Sequence, residues 1–381
     1  MRILYIAPRY HTNQTAVIHG WQLHGDEVFF LARAVGPTED HRFLVPDIIP
    51  YSPLFLAVER LYEALHQRSE SAHDIGLHYG FPSPPRVRAY IREKKPDIVV
   101  LREKSVYSMI CYSICRWQGI RTVIYNQTPL LLEKEKLRRG PLHRLVDRLT
   151  PARRFTPVRS LGGTENKEAD PHAFFVPFIA EPMCAPGERR YMPEGVVRLL
   201  DIGRFESRKN HLLMLRVFER LRWEHPRLHL TIVGEICRVQ YQEYYDAVLR
   251  FIEEHALGEC VSVKKNLSTE QMAEEYRRTD LYVLPSTGEP AAISPLEAMS
   301  YSIPAVCSDG NGTADYILPG KTGDIFRDGD EEDLYEKLSA ILREPERIPE
   351  LGRAAYEHIC RDYSFAAYYD ALMTWYESDA E

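Results

Sequence analysis

Short apolar runs alternate along the whole chain with longer segments in which apolar positions recur at helical spacing. The runs are rich in Val, Ile and Leu, as in Ile3–Ala7 and Val197–Ile202. Strands that are apolar throughout are typical of parallel sheets, because helices cover both faces of such sheets. The pattern therefore predicts an α/β protein with parallel sheets. The predicted strands are Ile3–Ala7, Glu27–Leu31, Asp97–Leu101, Thr122–Tyr125, Phe174–Val176, Val197–Ile202, Leu228–Val233, Cys260–Val263, Leu281–Leu284 and Ala305–Cys307.

A segment rich in proline, glycine and charge, from Phe178 to Gly195, separates the two halves of this pattern. Such a composition suits an interdomain linker. A chain of 381 residues is long enough for two domains of ordinary size. The expected division is a first domain at residues 1–180, a linker at 181–195, a second domain at 196–361, and an aromatic-rich C-terminal helix at about 362–381 that packs back on the first domain.

The composition narrows the functional class. Hydrophobic residues make up 44% and charged residues 27% of the chain, as in globular proteins. The net charge of −7 gives no general attraction to nucleic acid, so we expect no such partner. No apolar run reaches the roughly 18 residues of a membrane span. The 7 cysteines lack metal-binding spacing, which favours reduced thiols and a cytoplasmic location.

The most informative segment is Glu289–Glu297, which follows the apolar run Leu281–Leu284. Ser294 is predicted as the N-cap of a helix, with Pro295 at its first position. One carboxylate then lies on the loop and the other in the first helical turn. The carboxyl ends of parallel strands and the amino ends of helices are where α/β proteins bind phosphate-bearing ligands. An alternative role for Glu297 is a capping box with Ser294.

Other loops are predicted at the same edge of the sheet. Arg204 and Lys209 follow the strand Val197–Ile202, and two cations there would offset the charge of a diphosphate. The alternative is that both are solvated loop charges. Gly234 follows a third strand, and the glycine-rich loop Gly310–Gly312 follows a fourth.

Taken together, these residues resemble the C-terminal domain of retaining glycosyltransferases with the GT-B fold, of the family 4 type (glycosyl transferases group 1). The resemblance covers roughly residues 196–345. It is carried by Gly203-Arg204 with Lys209, Val233-Gly234, the Glu289/Glu297 pair at Glu-x7-Glu spacing, Leu296–Met299, Ile303-Pro304 and Gly320–Gly323 before Ile325-Phe326.

The resemblance implies a fold and a set of ligand contacts. It implies two Rossmann-like domains whose parallel sheets face each other across a cleft that holds a nucleotide-sugar donor, with neither a metal nor another cofactor. The implied roles are ribose binding for Glu297, a sugar hydroxyl for Glu289 and the diphosphate for Arg204 and Lys209. The amides of Ala292, Ile293 and Ser294 would contact phosphate, and Lys265 and Asn266 would contact the base. Gly234 is a further donor-binding residue.

The first half departs from the family in two loops. The loop after the first strand, Pro8–Gln14, has no glycine. After the strand Thr122–Tyr125 the family commonly has a histidine, but this chain has an amide pair, which cannot exchange a proton as imidazole can. The candidate residues of this half are His11, Asn13, Asn126 and Gln127.

Two charged segments have alternative interpretations. Residues 134–159 are strongly basic, which is typical of contact with a phosphate-bearing acceptor lipid or an anionic membrane at the inner face, or else of a solvated helical face. Asp328-Gly-Asp330 has the spacing of an Asp-x-Asp metal site in another glycosyltransferase fold. We predict instead that Asp330 caps a helix.

The resulting expectation is a glycosyltransferase (EC 2.4, hexosyltransferase-like) that moves a sugar, with retention and without a metal, to a glycan, lipid-linked or small-molecule acceptor. Cell-surface polysaccharide biosynthesis is a fitting role. The alternatives are a GT-B hydrolase or epimerase of nucleotide sugars, which would need acid and base residues, and a non-catalytic nucleotide-sugar-binding partner.

Overall fold

The computed structural model divides the chain into two compact units. The first unit comprises Met1–Thr156, Asn166–Val176 and Tyr368–Glu381, and the second comprises Pro157–Glu165 and Pro177–Ala367. Each unit has its own parallel sheet. The structure describes residues 1–10, 14–35, 41–65, 79–102, 105–137, 153–236 and 240–378.

The described part of the first unit is built on a seven-stranded sheet in the order β3-β2-β1-β4-β5-β7-β9, in which all the pairings are parallel. A separate antiparallel pair joins β6 to β8. The strands are β1 Arg2–Ala7, β2 Glu27–Ala32, β3 Asp47–Ile48, β4 Ile98–Arg102, β5 Arg121–Tyr125, β6 Leu131–Glu133, β7 Arg154–Thr156, β8 Lys167–Ala169 and β9 Ala173–Phe175. The helices are α1 Thr15–His24, α2 Pro53–Leu65, α3 Pro84–Lys94, α4 Val106–Trp117 and α5 Lys134–Leu137.

The second unit has a six-stranded parallel sheet in the order β12-β11-β10-β13-β14-β15 among the residues described. Its strands are β10 Val197–Ile202, β11 Leu228–Gly234, β12 Val261–Lys265, β13 Leu281–Leu284, β14 Ala305–Ser308 and β15 Gly323–Phe326. Its helices are α6 His211–Glu224, α7 Gln240–Glu254, α8 Thr269–Arg278, α9 Ser294–Ser300, α10 Glu331–Arg343 and α11 Ile348–Asp362. The last helix, α12 Phe365–Ser378, begins in the second unit and continues into the first.

The apolar strands are buried as the pattern predicts. Leu199 of β10 and Leu230 of β11 lie in one core cluster with Phe218 and Leu221 of α6, and all four side chains are buried. Burying one such side chain contributes about 1.5–3 kcal/mol. The predicted strands are all present to within a residue or two, which confirms the α/β class with two Rossmann-like parallel sheets.

The aromatic end of the chain packs on the first unit, as the sequence predicted. Tyr5 Oη on β1 accepts a hydrogen bond from Trp21 Nε1 at 2.8 Å and lies 3.1 Å from the hydroxyl of Tyr368 on α12. The rings of Trp375 and Phe174 stack with their centroids 5.8 Å apart. The C-terminal helix therefore completes the aromatic layer of the first unit.

The predicted linker, residues 181–195, is part of the second unit. The backbone amides of Met183 and Cys184 both donate to the carbonyl of Ser300, at 3.0 and 3.1 Å. Further along, the amide of Met192 donates to Asp280 Oδ1 at 2.8 Å. These bonds fix the path of the segment before β10 begins.

None of the helices in the described ranges combines the length and the apolar character required to cross a membrane.

We predict that Trp375→Ala destabilises the first unit by about 3 kcal/mol, because truncating a buried aromatic leaves a cavity. The exposed fraction of the Trp375 side chain is 3%. Trp223→Ala is the matched control, since that tryptophan is 83% exposed. Urea unfolding followed by circular dichroism measures both variants. Equal losses of unfolding free energy in the two would contradict this packing.

Candidate functional site

Four loops of the second unit meet at the carboxyl edge of its sheet. They follow β10, β11, β13 and β14, which are neighbours in the sheet and run parallel. Backbone hydrogen bonds join the loops to each other. The amide of Thr287 donates to the carbonyl of Arg208 at 2.8 Å, and the amide of Gly312 donates to the carbonyl of Glu289 at 2.9 Å. The structure thus brings together the segments that the sequence placed at one edge.

The centre of this edge is the carboxylate of Glu289, which is 8% exposed. Its Oε2 accepts from Lys209 Nζ at 2.5 Å and from Arg208 Nη1 at 2.6 Å. Both cations belong to the loop after β10, where Ser207–Lys209 forms one turn of 3-10 helix. The turn lets two consecutive side chains reach the same oxygen.

Arg208 was missed by the sequence analysis, which selected only Arg204 and Lys209 from this loop. An arginine in a polar loop carries no signal that separates it from a solvated charge. Its guanidinium also donates from Nη2 to Glu206 Oε1 at 2.7 Å, and Arg204 Nη2 lies 3.3 Å from the same oxygen. We call Arg204, Glu206, Arg208, Lys209 and Glu289 the charge cluster.

The electrostatics of the charge cluster favour an anionic ligand. Burial acts to raise the pKa of Glu206, but Arg204 and Arg208 outweigh it and hold the pKa below its usual value. Burial likewise opposes the charge of Arg208, while Glu289 and Glu206 raise the arginine's pKa. Both charges are therefore stabilised at neutral pH. Three cations against two carboxylates leave the cluster with one excess positive charge.

Arg204 is the most accessible member of the charge cluster. Its side chain is 42% exposed, compared with 33% for Arg208 and 11% for Lys209. The guanidinium rests against Tyr241, with Nη1 3.4 Å from the hydroxyl and the guanidinium carbon 5.8 Å from the ring centroid. This cation lies at the edge of the cluster, where it pairs with Glu206 and remains partly exposed.

The loop between Glu289 and α9 is fixed from one side by the loop after β14. Asn311 is fully buried, and its Oδ1 accepts from the amides of Ala292 and Thr313, both at 3.3 Å. Thr313 Oγ1 in turn donates to the carbonyl of Ala292 at 2.7 Å. The Ala292 amide, predicted to contact phosphate, is therefore engaged by a side chain of the protein.

A glycine makes this contact between the loops possible. A Cβ at Gly312 would lie 1.9 Å from the carbonyl oxygen of Pro290. The absence of a side chain lets the two backbones approach closely. Contacts with the loop after β14 therefore fix the conformation of the alanine-rich loop after Pro290.

The predicted start of α9 is wrong by one residue. The helix begins at Ser294 itself, because Ile293 already has helical angles (φ −87°, ψ −22°), and no side chain caps it. The hydroxyl of Ser294 instead accepts from the hydroxyl of Tyr282 at 2.7 Å. The capping box considered for Glu297 is therefore not formed.

Glu297 is held by a different partner. Its Oε2 accepts from the hydroxyl of Tyr276 on α8 at 2.8 Å. Burial raises the pKa of the Glu297 carboxyl, and the bond from Tyr276 offsets part of that rise. The second carboxylate of the segment is thus hydrogen-bonded to a phenol, whereas Glu289 is paired with two cations.

The residues predicted to contact a base form the corner after β11 and β12. The carbonyl of Gly234 accepts from the amide of Asn266 at 2.9 Å, and Asn266 Oδ1 accepts from the amide of Ile236 at 3.1 Å. The ammonium of Lys265 lies 5.0 Å from the ring centroid of Tyr245. Hydrogen bonds within the protein therefore fix the conformation of this corner.

The candidate residues of the first unit divide into two groups. Asn126 Oδ1 accepts from Arg154 Nη1 at 3.2 Å, and Gln127 Nε2 donates to the hydroxyl of Tyr125 at 3.4 Å. Arg154, one of the basic residues in 134–159, is buried and paired with Asp170 at 3.0 Å. Its role is to order the loop after β5. His11 and Asn13 lie outside the described residues.

The prediction for Asp330 is confirmed. Its Oδ1 accepts from the amide of Asp333 at 3.0 Å, which caps α10. Asp328 Oδ2 accepts from the amide of Gly288 at 3.2 Å. Both carboxylates of the Asp-x-Asp sequence are thus engaged by backbone amides.

Comparisons with known proteins agree with this architecture. Residues 192–358 match the family model described as glycosyl transferases group 1. The chain is 29% identical over 163 residues to sulfoquinovosyl transferase SQD2 of Arabidopsis thaliana, an alignment that covers 42% of this chain and 29% of that protein. It is 27% identical over 171 residues to a glycogen synthase of Mycobacterium tuberculosis, covering 45% and 40%. It is 31% identical over 103 residues to the lipopolysaccharide core biosynthesis mannosyltransferase LpcC of Rhizobium leguminosarum bv. viciae, covering 27% and 29%. The chain thus spans less than half the length of these curated relatives.

Two solved structures share the fold over nearly the whole chain. A glycosyltransferase from Rickettsia africae superimposes with a TM-score of 0.71 at 12% identity, covering 99% of this chain and 98% of that one. Anabaena Alr3699/HepE in complex with UDP and glucose gives a TM-score of 0.69 at 11% identity, covering 99% and 100%.

The fold is that of the GT-B glycosyltransferases. Residues 192–358, which match the glycosyl transferases group 1 model, contain the charge cluster and Glu297. The predicted resemblance is confirmed.

We predict that Asn311→Ala lowers the free energy of unfolding of the second unit by about 2 kcal/mol, since it removes a buried acceptor from two amides. Gln242→Ala is the control, because Gln242 is an exposed amide on α7 with a single bond to Asp246. Guanidinium unfolding curves measure both variants. An Asn311→Ala protein as stable as the control would contradict the assigned role.

Proposed function

We propose that the protein is a glycosyltransferase that moves a sugar from a nucleotide-sugar donor to an acceptor hydroxyl. We further propose that its charge cluster holds the diphosphate of the donor. The observation that carries the proposal is the charge cluster at the carboxyl edge of a parallel sheet. Arg208 and Lys209 both pair with the carboxylate of Glu289, and Arg204 lies beside them on Glu206. That edge is where α/β proteins bind nucleotides, and the match to the glycosyl transferases group 1 family lies on the same residues.

The charge of the cluster is complementary to a diphosphate linked to a nucleoside and a sugar. Each phosphate of such a donor carries one negative charge, and the one excess positive charge of the cluster would offset half of these two charges. Lys209 and Arg208 are the cations that can turn from Glu289 to the phosphate oxygens, while exposed Arg204 meets the diphosphate from the side. Glu289 then has lone pairs available for a hydroxyl of the transferred sugar.

The same cations would assist the chemical step. When the bond between the sugar's anomeric carbon and the phosphate oxygen breaks, its electron pair remains on the diphosphate. Donors that are already oriented stabilise this developing charge without reorganisation, and they do so best where water is excluded. The new bond forms from the acceptor oxygen to the anomeric carbon, and the proton of the acceptor hydroxyl passes to an oxygen of the departing diphosphate. Retention of configuration and independence of metal are parts of this proposal.

The remaining contacts of the donor follow from the resemblance. Glu297 would accept from the ribose hydroxyls, and the corner at Lys265 and Asn266, beside Gly234, would lie near the base. The amides of Ile293 and Ser294 are candidates for phosphate contact. The Ala292 amide would first have to leave Asn311 Oδ1.

The acceptor is proposed to be a glycan or a lipid-linked glycan. The similarity to a lipopolysaccharide core mannosyltransferase supports this class. Contact of the segment 134–159 with an anionic membrane is a further part of the proposal. At its described start, Lys134 is 71% exposed and lies 3.0 Å from Glu168. Such exposed pairs are worth about 0–1 kcal/mol, so this lysine remains accessible to lipid phosphate.

We predict that a thermal-shift screen of UDP-, GDP-, ADP- and dTDP-linked sugars finds a donor that raises the melting temperature. Product analysis with that donor, with and without glycan or lipid-linked acceptors, then tests the reaction. Acceptor-dependent transfer is the expected result. Hydrolysis that no acceptor enhances would support a hydrolase instead, and binding without turnover would support a nucleotide-sugar-binding protein.

We predict that Arg208→Gln weakens binding of the donor's nucleoside diphosphate by about tenfold, because a hydrogen bond to a charged group contributes about 1.5–3 kcal/mol. Isothermal titration calorimetry measures the dissociation constant. Arg216→Gln is the matched control: Arg216 also pairs with a glutamate, Glu331 at 2.7 Å, but lies outside the charge cluster. Equal dissociation constants for the two variants would remove Arg208 from the site.

A further inference from the structure

The hydroxyl of Tyr276 reaches Glu297 from a helix to which the sequence analysis assigned no function. Oη of Tyr276 lies 2.8 Å from Oε2 of Glu297, and the tyrosine is 5% exposed. A tyrosine on the inner face of α8 has the sequence signature of an ordinary core residue. Its hydroxyl nevertheless ends on a carboxylate of the proposed donor site.

Tyr276 is held in place on two further sides. The ring of Tyr301 stacks on it with the centroids 5.0 Å apart and the planes 17° apart. Arg189 Nη1 donates to the backbone carbonyl of Tyr276 at 3.2 Å and to that of Tyr301 at 2.9 Å. The position of the phenol is thus fixed independently of Glu297.

The hydrogen bond engages one oxygen of the Glu297 carboxylate and leaves the other. Within the part of the chain that the structure describes, no hydrogen bond to Oε1 is formed. Because Oε2 of Glu297 is held by Tyr276, its Oε1 has a fixed orientation in which it can accept a hydrogen bond from a ligand.

We propose that Tyr276 is a positioning residue that holds Glu297 so that its second oxygen meets the ribose hydroxyls of the donor. The inference rests on the proposed function. It extends the site from the sheet edge to α8 and, through Arg189, to the segment that precedes β10. Tyr276 itself touches neither the donor nor the reacting atoms.

The ionisable groups around Glu297 support a pH test of this role. Among the described residues they are Tyr276 on α8 and Tyr282 on β13. Tyr301 also acts on Tyr276, and Asp201 on β10 and Cys307 on β14 act on Tyr282. Burial and the charge of Glu297 raise the pKa of Tyr276 well above 10, so the phenol keeps its proton and remains a donor. Tyr282 also stays protonated, because burial raises its pKa.

The sign of the pH effect follows from these directions. Burial raises the pKa of Glu297, so falling pH adds a proton to the carboxyl and removes its power to accept from ribose. The bond from Tyr276 opposes that rise. Removing the Tyr276 hydroxyl therefore raises the pKa of Glu297 further. As the pH falls, nucleotide binding by the variant then begins to weaken at a higher pH than binding by the unaltered protein.

The test uses the full chain and the tightest binder among UDP, GDP and ADP, titrated by calorimetry from about pH 5.5 to 8.5. Tyr276→Phe should raise the dissociation constant about tenfold near neutral pH and move the acid limb of the binding profile to higher pH. Tyr301→Phe is the matched control, since it removes a hydroxyl from the stacked neighbour and leaves Glu297 untouched. Circular dichroism checks that the variants are folded.

A double mutant shows whether the effect passes through Glu297. In a Glu297→Gln background, Tyr276→Phe should change the dissociation constant less than about twofold, and the acid limb should be absent. The positioning role would be overturned if the two substitutions raised the dissociation constant additively. It would also be overturned if the pH dependence of binding were the same for Tyr276→Phe and Tyr301→Phe. Neither result would contradict the proposed function. If the unaltered protein bound none of the three nucleotides, the proposed function itself would fall.

Discussion

The carboxylate of Glu289 is nearly buried, and its charge there depends on two cations supplied by another loop. An isolated buried carboxylate is costly, and removing one partner of a buried pair typically costs about 3–5 kcal/mol. Lys209 and Arg208 meet this requirement through the same oxygen, so the loops after β10 and β13 cannot move independently. The arrangement concentrates positive charge where the sheet edge is open to a ligand. The ion pairs of Glu289 with Lys209 and Arg208 are thus the contacts that an anionic donor would rearrange.

The rest of the second unit holds this pair in place. The parallel order of its sheet carries four loops to one edge. The buried amide of Asn311 and the missing side chain of Gly312 fix the loop that follows Glu289. At the other end of the same segment, Tyr276 holds Glu297. The two glutamates therefore occupy different environments: one lies within a network of charges, and the other has a raised pKa beneath a phenol. Different environments suit different ligand groups, as the proposed sugar and ribose contacts require.

The sequence predicted the parts of the fold that depend on burial. The longer strands were found because apolar runs in parallel sheets are buried on both faces. Short strands such as Asp47–Ile48 and Arg154–Thr156 were missed, because they are too short to show periodicity and neither is an apolar run. The convergence of the loops could be predicted from topology alone. Contacts between side chains could not: Arg208 has the composition of a solvated loop residue, Tyr276 that of a core aromatic, and Ile293 shows no sign that the helix starts one residue early.

A crystal structure of the protein with a bound nucleoside diphosphate tests directly whether the charge cluster holds the diphosphate. We expect phosphate oxygens within hydrogen-bond distance of Arg204 and Lys209, a lengthened distance between Lys209 Nζ and Glu289 Oε2, and the ribose at Glu297. A nucleotide bound elsewhere, with Lys209 and Arg208 still paired to Glu289, would contradict this assignment.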